Sequence, residues 1–183
     1  AMRVTLWLVP VAAIIAGAAP EIVLVVFGSV FMPAGPLLAL LIVGAIANVM
    51  LMVSLTIMTA AGLPARTVML TAPLVPLALG GHLLLIPRLG EQGAALVTVA
   101  VSFLGASVAV ASVYALWKVC PPVGTFLRSL VVGLVVGAAS VWWPTPGLFV
   151  FAKLILLGMI SLLGYWWIGE FRQGEIAGDF RCA

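Results

Sequence analysis

Apolar residues run along this chain in long unbroken blocks. They do not alternate as in half-buried strands, nor form the one-sided stripe of a soluble helix. No charged residue occurs from Ile22 to Ala65, from Thr67 to Pro87 or from Gln92 to Trp117. A bilayer core about 30 Å thick takes roughly 20 apolar residues per helix. Six segments have that length, at about 4–27, 36–60, 65–86, 92–117, 125–143 and 146–168. A membrane β-barrel would need alternating segments of about ten residues, which the continuous blocks exclude.

Proline and glycine punctuate the blocks. Pro33 and Pro36 precede the second segment, and Gly62 and Pro64 separate it from the third. Pro87 and Gly90, Pro121 and Pro122, and Pro144 and Pro146 divide the rest. Links this short predict antiparallel neighbours in an up-and-down bundle. The expected fold is therefore all-α and polytopic, with a bundle over 1–168 and a tail over 169–183. Pro73 and Pro76 fall inside the third segment and should kink it.

Composition supports lipid as the main solvent. The 183 residues are 65% hydrophobic and 7% charged, with a mean hydropathy of +1.36. A soluble domain carries about 25% charged residues. The net charge of +3 is scattered singly, so no nucleic-acid surface is expected.

The basic residues orient the bundle. With the N-terminus cytoplasmic, Arg3, Arg66, Lys118, Arg128, Arg172 and Arg181 fall on the inner side, and Arg88 and Lys153 on or toward the outer side. The positive-inside rule then gives N-in and C-in. Trp7, Trp117, Trp166 and Trp167 fall at inner ends, and Trp142 and Trp143 at an outer end, where indoles favour the headgroup region. Cys120 and Cys182 would face a reducing compartment as free thiols. Neither makes a metal-binding spacing, and no cofactor or metal is expected.

The turn "LLLIPRLGEQGAAL" interrupts two apolar runs for only a few residues. Pro87 is expected to stop the third helix. Arg88 and Glu91 place the turn in water, and Gly90 and Gly93 allow a tight path. Small residues at Gly93, Ala94 and Ala95 then permit a close neighbouring helix.

This turn resembles a signature of polysaccharide flippases: Leu85, Ile86, Pro87, Gly90, Gly93, Ala94 and Ala95 match it. An earlier stretch, "PEIVLVVFGSVFMPAGPLLALL", resembles a second family feature at Pro20, Phe27 and Gly28, with Phe31 as the following aromatic. The resemblance covers roughly residues 20–168 and points to the multidrug, oligosaccharidyl-lipid and polysaccharide exporter superfamily. It implies two six-helix lobes around a central cavity, often with two further helices, moving lipid-linked oligosaccharide across the bacterial inner membrane by alternating access. The six segments would be helices nine to fourteen. The implied partners are membrane lipid, the lipid-linked oligosaccharide and an N-terminal lobe that this sequence lacks. Together with the initial Ala1, this favours a C-terminal portion of a longer transporter over a half-sized subunit.

Four residues are candidates for substrate or coupling roles. Lys153 lies about seven residues inside the last segment. It is either a cation for a lipid pyrophosphate or a side chain that snorkels to the outer interface. His82 is a proton-coupling group or a packing histidine bonded to a neighbouring helix. Asn48, mid-segment, pairs across helices or lines a polar cavity. Glu21 is a cation-coupling carboxylate or an interfacial one. Gly133 and Gly137 form a GxxxG pattern that suggests close helix contact within or between subunits.

Transport is the leading function class. A drug or cation antiporter of the same superfamily and a non-transporting scaffold subunit are the alternatives. A membrane enzyme would need paired carboxylates or metal ligands near the interface, and the sequence holds neither pattern.

Overall fold

The computed structural model describes residues 8–118, 123–143, 145, 147 and 149–167. Among them the chain is helical throughout, without a strand. The helices are α1 (Leu8–Gly17), α2 (Ala19–Phe27), α3 (Gly35–Ala60), α4 (Pro64–Thr71), α5 (Leu74–Leu89), α6 (Glu91–Trp117), α7 (Val123–Trp142) and α8 (Phe149–Trp167), with a 3-10 turn over Ser29–Ala34.

Three helical stretches are long and apolar enough to cross a membrane: Ser29–Ala60, Pro64–Leu89 and Glu91–Trp117. The bent pair α1–α2 makes a fourth if it is one span. The apolar stretches Leu127–Trp142 and Phe149–Gly164 are shorter. No residue of α4 or α5, within the stretch Pro64–Leu89, is buried inside the protein. Leu79, Leu83 and Leu84 on that stretch are all exposed. A water-facing surface would not carry so continuous an apolar cover.

The first segment, expected as one helix, is broken. α1 and α2 meet at 61°, because Pro20 has no N–H to give the Ala16 carbonyl. The break is held from α7. The Ser140 hydroxyl donates to the Ile14 carbonyl at 3.1 Å, and the Ala18 N–H donates to the same oxygen at 3.0 Å. The third segment is interrupted at Ala72-Pro73, as the two prolines predict, while Pro76 stays inside α5.

Pro87 does not stop its helix. It sits inside α5, which continues to Leu89. One missing donor in the last turn is tolerated where the following residues keep helical geometry. Gly90 ends the helix instead, at φ 59° and ψ −133°, a conformation that only glycine adopts cheaply.

Sequence neighbours are not the main packing partners, apart from the α5–α6 hairpin. The most extensive contact is between α3 and α6, and the next between α1 and α7. Both pairs run parallel. Gly44 meets Val99 and Leu51 meets Gly105; Pro10 meets Gly133 and Ala13 meets Gly137. The GxxxG glycines of α7 therefore serve a contact within the chain. Small residues decide these pairings, since apolar surface gains little by leaving lipid and close van der Waals approach must hold the helices together. One core gathers Ala47, Leu51, Leu55, Ala106 and Ala109; another gathers Ile14, Val136 and Leu157.

The register sorts the chain into two ends. Glu21, Gly35, the Gly90 turn and Thr145 lie at one. The Gly62 turn, Arg66 and the end of α6 lie at the other. Trp142 and Trp143 are exposed at the first end, and Trp117 at the second. Arg3, Trp7, Cys120, Pro121, Pro122, Pro144, Pro146, Arg172, Arg181, Cys182 and the tail lie outside the described residues. So do the side chains of Trp166 and Trp167.

Candidate functional site

Most hydroxyls in the bundle are returned to their own helices. Ser54, Thr56, Thr59, Thr98, Ser107 and Ser112 each donate to a carbonyl four residues earlier, at 2.8–2.9 Å. That satisfies the proton in an apolar medium without naming a partner helix. The polar groups that act between elements are therefore few.

The strongest is a charge pair. Lys153 on α8 donates to both carboxylate oxygens of Glu21 on α2, at 3.0 and 2.9 Å. Thr145, in the connection before α8, adds its backbone N–H and its hydroxyl, each at 3.3 Å. The Lys153 side chain is 2% exposed and that of Glu21 19%. Four donated bonds fill most of what a carboxylate can accept. The cluster ties the bent first segment to the last helix across 132 residues.

This placement corrects two expectations. The Lys153 ammonium is not left to hydration, because it is buried against a carboxylate. Nor is it a lone cation, because Glu21 matches its charge at 2.9 Å. Glu21 is an ion-pair partner rather than a lone interfacial acid. Sequence reasoning placed both residues toward the same end of the bundle but did not join them, and it missed Thr145 altogether.

Asn48 presents the opposite situation. It is exposed in the middle of α3 and makes no hydrogen bond among the described residues. With Met52 and Thr56, four and eight residues on, it lines a shallow groove of about 300 Å³. The interhelical partner that packing would require is not within the described chain.

His82 lies half-buried on α5, and its Nδ1 is buried without a hydrogen-bond partner among the described residues. The interhelical bond expected of a packing histidine is not made through that atom. Neither Asn48 nor His82 is drawn into the Glu21–Lys153 cluster; the four sequence candidates make one pair and two separate positions.

The residues that carry the resemblance are structural. Gly28 ends α2 at φ 87° and ψ 175°. The Phe27 and Phe31 rings across it stand 6.1 Å apart, tilted by 60°. Gly93 packs directly on the Leu85 carbonyl, and Ala95 is buried. Leu85 and Ala94 are partly buried, while Ile86, Pro87 and Gly90 lie exposed around the turn. Comparison with protein-family models, curated proteins and solved structures gives no match. The residues and their geometry therefore carry the functional reading.

Proposed function

We propose that this chain is the C-terminal, six-span portion of a transporter that flips lipid-linked oligosaccharide across the bacterial inner membrane by alternating access. The observation that carries the reading is the open amide of Asn48 on the exposed face of an apolar, span-length helix. Facing hydrocarbon, an unsatisfied polar group costs several kcal/mol. Whatever covers that face in the working protein must offer hydrogen bonds, and a polar path shared with a second lobe does so. The resemblance of the Leu85–Ala95 turn supports the same class.

The charge distribution supports an N-in orientation. Among the described residues, Arg66, Lys118 and Arg128 stand toward the Gly62 end. The opposite end holds Arg88, Glu91 and the neutral Glu21–Lys153 pair. By the positive-inside rule the Gly62 end is cytoplasmic. The interrupted segments at Ala18 and Pro73 are the elements able to absorb a change of shape.

Asn48→Leu separates the possibilities. In proteoliposomes containing the whole transporter and a labelled lipid-linked oligosaccharide, it is expected to slow flipping at least about tenfold, roughly 1.4 kcal/mol. Thermal stability should stay level or rise, since an unpaired polar group is removed. A variant that loses stability but flips normally would make Asn48 a packing residue and remove the main support for transport.

A further inference from the structure

A second site lies away from the groove of Asn48, at the end of the bundle that carries Arg66. There α3, α4 and α6 border an open cleft of about 470 Å³. Met69, Leu70 and Leu116 line it with apolar surface above the buried Met58, and Arg66 and Ser112 add the polar groups. The Ser112 proton is committed to the Val108 carbonyl at 2.8 Å. Arg66 makes no ion pair among the described residues, so its guanidinium is the donor this cleft has to offer. Trp117 and Lys118 close the same end of α6, with the Lys118 ammonium 5.5 Å from the Tyr114 ring centroid.

An apolar cleft that carries one planar cation matches an amphiphile whose polar end is a phosphate. Guanidinium binds phosphate oxygens in a two-pronged geometry that ammonium cannot copy. The apolar walls have no use for a free phosphate ion. We propose that this cleft binds an anionic glycerophospholipid, with its phosphodiester on Arg66 and an acyl chain along Met69, Leu70 and Leu116. The occupant is a resident lipid at the basic end of the bundle, distinct from any transported sugar-lipid, and the site stands independently of the transport proposal.

The test is native mass spectrometry of the full chain released from nanodiscs of equal phosphatidylglycerol and phosphatidylcholine. Phosphatidylglycerol is expected to be retained over phosphatidylcholine about fivefold or more, the effect of one basic residue at a lipid surface. Arg66→Gln should abolish the preference, Arg66→Lys should keep part of it, and Arg88→Gln at the opposite end should leave it unchanged. Ala115→Trp, which fills the cleft while leaving Arg66 in place, should also release the lipid. This keeps the test decisive if Arg66→Gln does not fold. A preference that survives Arg66→Gln or Ala115→Trp would overturn the proposal. So would displacement of the retained lipid by millimolar inorganic phosphate, which would show that the headgroup anion alone is recognised.

Discussion

Replacing Glu21 by leucine is expected to destabilise the protein by about 3–5 kcal/mol, the usual loss when one partner of a buried ion pair is removed. Lys153→Met should cost less, and the asymmetry follows from the geometry. Without Lys153, the Glu21 carboxylate keeps two donors from Thr145 and remains 19% exposed. Without Glu21, the Lys153 ammonium is 2% exposed and has no other acceptor among the described residues. The double replacement, Glu21→Leu with Lys153→Met, should return to within about 1 kcal/mol of the parent, since a desolvated pair is often matched by apolar groups of similar volume. Reversible unfolding in mixed micelles measures all four proteins. A coupling energy below about 0.5 kcal/mol would show that the two charges do not depend on each other.

The pair also shows where reading the sequence reached its limit. Glu21 and Lys153 were each recognisable as charges inside apolar blocks, and both fell toward one end of the bundle. An intramembrane charge calls for an opposite charge, and this chain has few acids to supply one. Treating each residue against a lipid background left each with a coupling or substrate role or an interfacial one, and did not pair them. What the residues alone did not fix was adjacency: α2 and α8 come together because α1 packs on α7, and that packing is written in Gly133, Gly137 and Ser140 rather than in either charge. The helical class was legible, because continuous apolar blocks allow little else. The boundaries were less so. Pro87 resembles a stop but behaves as a tolerated last-turn residue, and Pro20, inside one apolar run, opens a second helix at a bend. Asn48 was legible as a polar residue at depth. Its lack of a partner depends on which face of α3 meets α6, and only the register of Gly44 on Val99 settles that.

Gly93→Ala should produce the second large effect, and its value lies in the contrast with a neighbouring glycine. A methyl group at Gly93 would stand 2.5 Å from the Leu85 carbonyl oxygen and 2.7 Å from its carbon. Both are backbone atoms, so no side chain can turn aside. The α5–α6 hairpin must open or the helix ends must shift, at a cost of about 3 kcal/mol, the upper part of the usual range for overpacking. Gly80 lies on α5 in the same hairpin, with nothing within 4 Å of its added methyl. Gly80→Ala should be neutral or stabilise by up to about 1 kcal/mol, because alanine is the better helix former. The two substitutions add the same atom to helices of one hairpin, so the difference between them isolates the close approach. Unfolding in mixed micelles reads the stabilities, and spin labels at exposed Leu84 and Leu96 read the α5–α6 separation. Equal effects at Gly80 and Gly93 would mean that the hairpin is not closed at Leu85. The glycine of that turn would then need a reason other than packing.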